Sequence, residues 1–437
     1  MAILSDLSGA QRVQRVASGS IRFLDYHDRQ RSERSNRNGP VTELTLASLN
    51  DTDRYLDSYK KAKNDMGLGA GTDGVRGDEC TISEMAGMLR ELQKRIADGS
   101  FVPQDHRQVE TPKGNGKFRK LSIPVVAERV IARTFNNALL DVLDAAGSSV
   151  FPEGFHAYRR NRNITTLFAQ IAASYARNGA LFIGTADIEN AFPSTKKDDV
   201  AGALERYVPD SDFRNALLRL SYVGNSQIGL PQGLATSTTL FMMVLSHRLT
   251  WSIPGYGDDK LELLAYSDNL IYAGSPQESI ETAHGQHKLE LEAIGMLPKA
   301  SEPLRPVNVA HGQISLLGTT AFPRYGVIAF RPTEGGWDEL AARIRKSYAK
   351  PLPSVEAHSV ITNWISQNQH IVDSYGAEWI IQRLKGFCEA AHIDEVDWTS
   401  IETTVETKSQ EWRTMVAGAT PHTPSPRACK KVCVRLA

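Results

Sequence analysis

Two aspartates stand where apolar segments of the sequence end. Asp187 closes the segment LFIGTADI (181–188), and Asp268 separates LELLAY (261–266) from NLIYAG (269–274). These segments predict short buried strands, the last two forming a hairpin with Asp268 at its tip. A single carboxylate at a strand end is ordinarily a turn residue or a cap. If the strands are neighbours, however, the two carboxylates converge at one sheet edge, where a hard divalent cation is needed to relieve their repulsion.

A divalent-metal site of this kind fits the chemistry of phosphoryl transfer. One metal ion lowers the pKa of an attacking 3′-hydroxyl, and the other neutralises the negative charge that builds on a triphosphate. Asp187 and Asp268 are therefore the candidate catalytic residues of a phosphoryl-transfer enzyme.

The elements around these aspartates mix helices and strands. Apolar residues three and four apart predict helices over 45–63, 82–99 and 125–146. In the middle of the chain, the predicted strands alternate with helical stretches at 199–208 and 237–249. This alternation indicates a sheet backed by helices rather than an all-helical protein.

The composition is that of an ordinary soluble globular protein. The 437 residues are 41% hydrophobic and 23% charged, and 50 basic residues balance 50 acidic ones. This length exceeds what one hydrophobic core usually serves, so two or three subdomains are expected. Four scattered cysteines are too few for a disulfide framework, which favours a reducing cytoplasm as the location. No apolar run is long enough for a signal peptide or a membrane span.

Seven segments resemble motifs of reverse transcriptases and follow one another in the same order. ADIENAF (186–192) resembles the first catalytic motif, AYSDNLIYAG (265–274) the Tyr-x-Asp-Asp hairpin, and GLPQGLATSTTLFMMVL (229–245) the Pro-Gln-Gly motif. The other four are GTDGV (71–75), TPKGNGKFRKLSIPVVAERVIARTF (111–135), FHAYRRNRN (155–163) and SLLGTT (315–320).

The resemblance implies an α+β, right-hand polymerase fold with fingers, a palm of antiparallel sheet backed by helices, and a helical thumb. SVITNWISQNQHIVDSY (359–375) is similar to a Trp-containing thumb helix. The expected divisions are an N-terminal helical extension with a polar linker at 1–66, fingers at 67–180, the palm at 181–330, the thumb at 331–420 and a basic tail at 421–437.

The resemblance also assigns roles to individual residues. Two Mg²⁺ ions, or Mn²⁺ in their place, would be held by Asp187, Asp268, the backbone carbonyl of Ile188 and Asn269. The residues expected to bind the nucleotide are Lys113, Arg119, Phe192 and Gln232, and those expected to bind nucleic acid are Lys117, Arg159, Arg160 and Arg162.

Physical arguments support several of these roles, and a simpler interpretation accompanies each. Lys113 offers a point charge to the terminal phosphates, and Arg119 offers a flat cation to the incoming nucleotide. The simpler interpretation is that both belong to a solvated hairpin, as most runs of charged residues do. The ring of Phe192 would exclude a 2′-hydroxyl, although most Phe residues belong to a core. Lys299 would protonate the leaving pyrophosphate, although a surface lysine is the simpler interpretation.

The segment GLPQG, which opens the Pro-Gln-Gly motif, has glycines at positions 229 and 233. Because glycine lacks a Cβ, we expect Gly229 and Gly233 to let the backbone approach a ligand closely.

Two positions depart from the family pattern. Asn269 replaces the second aspartate of the hairpin, and Thr238 replaces the proline that usually follows the serine of the Pro-Gln-Gly motif. An asparagine still offers an oxygen to a metal but supplies less charge, so lower activity or a changed metal preference is expected.

The resemblance is to bacterial reverse transcriptases of the group II intron and retron-like lineage. No endonuclease, integrase or ribonuclease H block follows the thumb segment, which makes the sequence resemble the free-standing, defence-associated members of that lineage. The partners this implies are an RNA template or a dedicated non-coding RNA, deoxynucleotides, a DNA product and further copies of the chain, with no membrane. Two alternatives stay open: an RNA-synthesising or template-independent polymerase, and a catalytically silent RNA-binding scaffold.

Overall fold

The computed structural model describes residues 44–62, 69–114, 117–145, 150–178, 181–224, 226–251 and 261–419. The predicted basic tail and most of the N-terminal extension, including its polar linker, lie outside the described residues. The side chains of Lys113 and Lys117 lie outside them as well, although their backbone is described.

The first part of the chain is helical apart from one hairpin. A 3-10 turn at Ala47–Leu49 precedes helices α1 (Thr52–Ala62) and α2 (Ile82–Ala97), the antiparallel strands β1 (Arg107–Gly114) and β2 (Lys117–Ile123), and helices α3 (Val126–Ala145) and α4 (Ile164–Asn178). Helix α2 begins at a capping box, in which Thr81 and Glu84 each accept a hydrogen bond from the other's backbone N–H.

The middle of the chain alternates strands with helices. Its elements are β3 (Phe182–Asp187), α5 (Ala191–Ser194), α6 (Lys197–Tyr207), α7 (Ser211–Ser221), α8 (Ala235–Arg248), β4 (Leu261–Tyr266), β5 (Asn269–Gly274), α9 (Gln277–Ala293) and β6 (Val307–Asn308). The strands form one sheet in the order β4-β5-β3-β6, and every neighbouring pair is antiparallel.

The last part is a small sheet followed by helices. A three-stranded antiparallel sheet is formed by β7 (Ile314–Leu316), β8 (Thr319–Arg324) and β9 (Val327–Pro332). Five helices follow it: α10 (Gly336–Ser347), α11 (Pro353–Gln367), α12 (Gln369–Tyr375), α13 (Ala377–Ala390) and α14 (Trp398–Gly418). None of the helices in the described part of the chain is both long and apolar enough to cross a bilayer.

The four-stranded sheet lies between two hydrophobic cores because side chains alternate between the faces of a strand. On one face, Leu263 and Tyr272 belong to a core shared with α1, α2, α3 and α6 to α9. On the other face, Leu264 and Ile271 belong to a core shared with α4, the small sheet and the C-terminal helices. Helices therefore cover the sheet on both sides, as the sequence pattern indicated.

The edge of the sheet at β4 is covered by the segment 152–156. The Ala265 N–H donates to the Gly154 carbonyl at 2.8 Å, and the His156 N–H donates to the Ala265 carbonyl at 3.0 Å. A Cβ at position 154 would lie 1.9 Å from the Leu263 carbonyl oxygen. Only glycine permits this approach, and with it the pairing that completes the edge.

Most of the predicted elements are confirmed. The predicted strands correspond to β3, β4 and β5, and the helices predicted over 82–99, 125–146, 199–208 and 237–249 correspond to α2, α3, α6 and α8 within a few residues. The helix predicted over 45–63 begins only at Thr52, because Asp51 accepts a hydrogen bond from the Asp53 N–H at 2.9 Å and caps it there.

The prediction of one continuous helix over 359–375 is wrong. The chain breaks at Asn368, between α11 and α12, with φ −124° and ψ 37°. The Asn368 side-chain amide donates to the Trp364 carbonyl at 2.8 Å. The same carbonyl accepts the Asn368 backbone N–H at 3.0 Å, so the side chain adds a second hydrogen bond where α11 ends.

His370 makes the stability of the core between the sheet and the C-terminal helices depend on pH. Its ring lies among Phe168, Phe330 and Trp412, and burial lowers its pKa from 6.5 to about 3. Between these values the unfolded chain binds a proton that the folded chain does not, so stability is lost as the pH falls below about 6.5.

We expect His370→Phe to reduce the pH dependence of unfolding, since phenylalanine fills the same site without titrating. The wild-type loss between pH 7.5 and 5.5 from this one group is about 1.4 kcal/mol. Urea denaturation at both pH values should show a smaller loss in the variant by roughly that amount. An equal loss in the two proteins would contradict the assignment.

Candidate active site

Asp187 and Asp268 lie at the same end of the strands of the four-stranded sheet, and we call this end the carboxylate edge. Asp187 is the last residue of β3 and pairs across to Asn269, the first residue of β5. Asp268 occupies the tight turn between β4 and β5, where Ser267 adopts a left-handed φ of 58°. The Ile188 N–H donates to the Asp268 carbonyl at 3.0 Å. The expectation that the two strands are neighbours is thus confirmed.

A third segment, Leu297–Lys299, runs beside the end of β3. The Glu189 N–H donates to the Leu297 carbonyl and the Lys299 N–H donates to the Asp187 carbonyl, both at 2.8 Å. The Lys299 ammonium then donates to Asp187 Oδ2 at 2.5 Å and to Glu302 Oε1 at 3.0 Å. Lys299 therefore belongs to the carboxylate edge, and the interpretation as a simple surface lysine is wrong.

The electrostatics of this edge favour additional positive charge. Burial raises the pKa of Asp187, the negative charge of Asp268 raises it further, and the hydrogen bond from Lys299 opposes both. The same hydrogen bond raises the pKa of Lys299 to about 12, so its ammonium stays charged. The pKa of Asp187 stays raised although Lys299 opposes the shift, chiefly because the carboxyl group is partly buried. A further cation beside it would favour its charged form.

The oxygen atoms at this edge suit Mg²⁺. This ion is usually held by one or two protein carboxylates and takes its remaining ligands from water and substrate phosphates. Asp187, Asp268 and the Ile188 carbonyl would supply such a set. Within the described residues there is no group of three or more His, Cys, Asp or Glu side chains that could hold a metal. A closed, all-protein metal cage is therefore not present in that part of the chain.

Asn269 stands next to this set of oxygens. Its side-chain amide Nδ2 is 3.5 Å from Asp268 Oδ1, and its backbone pairs with that of Asp187. The amide oxygen of Asn269 is a neutral metal ligand at most, as expected from the sequence.

The carboxylate edge forms the floor of an open cleft of about 1140 Å³. Its walls come from the β1–β2 hairpin and from the loop before α8. The cleft brings together seven of the residues selected from the sequence: Arg119, Asp187, Ile188, Phe192, Gln232, Asp268 and Lys299. Residues that sequence reasoning missed also line it, among them His106, Gln108, Phe118, Lys120 and Ser122.

The hairpin and the loop before α8 are locked together by backbone contacts. The Ser122 N–H on β2 donates to the Gln232 carbonyl at 2.7 Å. A Cβ on Gly233 would lie 2.6 Å from the Ser122 carbonyl oxygen, and Gly233 has φ +118°. Gly233 therefore allows the loop to approach β2, whereas the sequence suggested an approach to a ligand.

Phe192 serves the core and the cleft at once. It follows Asn190, which takes a left-handed φ of 48° and turns the chain into α5. Its ring packs against Phe241 with the centroids 5.1 Å apart, and only 9% of the residue is exposed. Phe192 is therefore a core residue that also lines the cleft, and its exclusion of a 2′-hydroxyl stays a prediction.

The predicted nucleic-acid-binding arginines do not line the cleft, and each has an acidic partner. Arg159 and Arg160 contact Asp144, Arg160 also pairs with Asp141, and Arg162 donates to Glu153 at 2.6 Å. These ion pairs hold the cluster against α3 and its own loop. Contact of these arginines with nucleic acid stays a prediction.

The sequence similarities of the chain are to intron proteins and to one bacterial protein. No protein-family model matches the chain. The putative COX1/OXI3 intron 2 protein of Saccharomyces cerevisiae is 26% identical over 249 residues, which are 54% of this chain and 28% of that protein. The putative COX1/OXI3 intron 1 protein of the same yeast is 23% identical over 220 residues, 47% of this chain and 25% of that protein.

Protein YkfC of Escherichia coli is 27% identical over 192 residues, 41% of this chain and 49% of that protein. The chain therefore spans less than half the length of each of these three relatives. The similarity connects it with proteins named for introns, and none of the three names refers to phage defence.

We expect Gly233→Ala to open the junction between the hairpin and the loop, since its Cβ collides with the Ser122 carbonyl. Hydrogen exchange at residues 118–123 should accelerate, and the protein should lose about 1–3 kcal/mol of stability. Gly229→Ala is the matched control, because Gly229 also has a positive φ (+96°) but its nearest atom, the Pro193 oxygen, is 3.5 Å from the added Cβ. Equal exchange rates in the two variants would show that backbone strain, not the collision, is responsible.

Proposed function

We propose that this chain is a reverse transcriptase, an RNA-directed DNA polymerase that adds deoxynucleotides to a 3′ end. The observation that carries the proposal is the cleft itself. Asp187 and Asp268 lie on neighbouring strand ends at its floor, and Arg119, Phe192 and Gln232 reach it from separate segments. All five had been selected from the sequence for roles in one reaction, so their meeting in a single cleft supports that reaction.

We also propose the right-hand polymerase fold for this α+β chain. In this scheme the sheet β4-β5-β3-β6 with helices α8 and α9 is the palm, and the β1–β2 hairpin belongs to the fingers. Helices α10 to α14 are then the thumb. The antiparallel order of the sheet, with both carboxylates at one edge, is the feature that supports this scheme.

Each cleft residue has a definite task under this proposal. Two bound Mg²⁺ ions, or Mn²⁺, would supply the activation of the 3′-hydroxyl and the neutralisation of the triphosphate. Asp187, Asp268 and the Ile188 carbonyl would hold the ions. Arg119 lies on the exposed face of β2 and offers its guanidinium to the nucleotide from the opposite wall.

The remaining cleft residues would select and orient the nucleotide. The Gln232 carbonyl accepts the Ser122 N–H, which ties the backbone of Gln232 to β2. Phe192 would press against C2′ of the sugar. Lys299 is the candidate proton donor, and its donation to a leaving pyrophosphate would require the ammonium to leave Asp187.

The similarity to intron proteins supports RNA as the partner of this chain. An RNA template, a dedicated non-coding RNA, deoxynucleotides and a DNA product are therefore proposed. Three further expectations stay predictions from the sequence: the cytoplasmic location, the assembly of several copies and the role in phage defence. The names of the relatives do not support a role in phage defence.

We expect Asp187→Asn and Asp268→Asn to fold normally and to reduce DNA synthesis by roughly three orders of magnitude, because an amide supplies too little charge to hold the ions. The measurement is incorporation of labelled dTTP on a poly(rA) template primed with oligo(dT), with Mg²⁺ or Mn²⁺. Asp373→Asn is the matched control, since Asp373 pairs with Arg413 on the C-terminal helices and lies outside the cleft.

The same assay separates the proposal from its alternatives. Incorporation of ribonucleotides in place of deoxynucleotides would favour the RNA polymerase, and incorporation without added template would favour the template-independent enzyme. Tight RNA binding with no incorporation of either sugar would favour the silent scaffold, in which Asn269 has ended catalysis. Activity within tenfold of wild type in either aspartate variant would remove the two-metal assignment.

We expect Phe192→Ala to admit ribonucleotides while deoxynucleotide incorporation continues, since removal of the ring leaves room for a 2′-hydroxyl. The ratio of rCTP to dCTP incorporation should rise by at least tenfold. Phe192→Leu is the matched control: it keeps an apolar contact with Phe241 and still fills most of the space. If both variants only lose stability and the ratio stays constant, Phe192 is a core residue and not a sugar gate.

A further inference from the structure

We propose that Lys299 and Glu302 form an exchangeable counter-ion pair for the catalytic edge. Lys299 neutralises Asp187 when no metal ion is bound, and Glu302 receives its ammonium when an ion binds Asp187. Glu302 is thus a positioning residue that acts through Lys299. This inference rests on the proposed two-metal function, and it adds a residue and a regulation that the proposed function does not contain.

The geometry places one ammonium between two carboxylates of different character. Lys299 Nζ is 2.5 Å from Asp187 Oδ2 and 3.0 Å from Glu302 Oε1. The Asp187 side chain is 21% exposed and the Glu302 side chain is 62% exposed. Lys299 therefore bridges a half-buried carboxylate, which needs a counter-ion, and a solvated one, which does not.

The backbone keeps all three groups together whichever carboxylate holds the ammonium. The Lys299 N–H donates to the Asp187 carbonyl at 2.8 Å, and the Glu302 N–H donates to the Lys299 carbonyl at 3.2 Å. The ammonium can therefore move from one carboxylate towards the other by side-chain rotation alone. Since Lys has four rotatable bonds and an exposed path, this movement is local and inexpensive.

A divalent ion and the Lys299 ammonium compete for Asp187. The lone pair of Asp187 Oδ2 that accepts the charge-assisted hydrogen bond of Lys299 cannot face a metal ion at the same time. The two cations also repel each other at this range. Binding of one must then weaken binding of the other by the same factor, which is a coupling between ion and lysine.

The proposal predicts opposite effects for the two side chains. Removal of the Lys299 charge removes the competitor, so a metal ion should bind more tightly. Removal of the Glu302 charge takes away the site that receives the displaced ammonium, so a metal ion should bind more weakly. This second effect should require Lys299, because Glu302 acts only through it.

The experiment measures Mn²⁺ binding to the full chain, free of nucleic acid, by electron paramagnetic resonance of the unbound ion. Lys299→Met should lower the Mn²⁺ dissociation constant about tenfold, within the roughly five- to 150-fold range of coupled sites. Lys299→Gln should do the same, because it removes the charge and keeps a hydrogen-bond donor. In the wild-type background, Glu302→Gln should raise the Mn²⁺ dissociation constant several-fold. In a protein that already carries Lys299→Met, Glu302→Gln should leave the constant unchanged. The four proteins together form a double-mutant cycle.

Lys288 and Glu292 provide the matched controls. They form an exposed pair on α9 at 4.0 Å, and Lys288→Met and Glu292→Gln make the same charge changes away from the edge. Thermal melts of every variant without metal establish that each is folded before titration. Neither control should change the Mn²⁺ dissociation constant.

The outcomes distinguish this inference from the proposed function. If Mn²⁺ binds wild type and the binding is lost in Asp187→Asn, but Lys299→Met and Lys299→Gln do not tighten it, the exchange is overturned and the metal site stands. A Glu302→Gln effect of equal size in both backgrounds would overturn the positioning role. If wild type binds no Mn²⁺ at all, the exchange and the two-metal assignment fail together.

Discussion

The partial burial of Asp187 beside Asp268 sets the charge balance of the carboxylate edge. Two carboxylates at the ends of paired strands repel each other, and one of them is half-buried. Among the described residues, the Lys299 ammonium pairs with Asp187, and the Lys299 N–H donates to the Asp187 carbonyl. Burial and the charge of Asp268 nevertheless leave the pKa of Asp187 raised. A divalent cation at this edge would relieve the remaining repulsion, which is the condition that the proposed metal site requires.

The second constraint is that the backbones of separate segments must approach each other closely. These approaches hold the segments together around one cleft. At the floor, Gly154 lets the segment 152–156 pair with β4 behind the hairpin that carries Asp268. At the wall, Gly233 lets the loop before α8 meet Ser122 on β2. At both places a Cβ would collide with a carbonyl oxygen of another segment. The positions of Arg119 and Gln232 thus follow from contacts that involve no catalytic atom.

The parts of the structure that followed from the sequence are those with local causes. Apolar runs ending in Asp187 and Asp268 located the strands and the hairpin, because strand burial and turn polarity are properties of neighbouring residues. The role of Lys299 depended on a contact that no spacing reveals. Lys299 reaches Asp187 across 112 positions of sequence. The Gln108–Ser122 pair could have been found from the register of the β1–β2 hairpin, whereas its place in the cleft depends on Gly233.

Asn269 is best understood together with Lys299. Its backbone lies opposite Asp187 in the sheet and its amide lies next to Asp268. An aspartate there would bring a third carboxylate to an edge where the described structure provides one lysine, and the resulting repulsion would fall on the half-buried Asp187. The amide keeps an oxygen at this position without that charge. Since Lys299 already leaves the edge under-compensated, the asparagine lets the strands pair with fewer counter-ions. In the proposed metal site, the cost would fall on metal affinity, which would then depend more heavily on Asp187 and on how readily Lys299 leaves it.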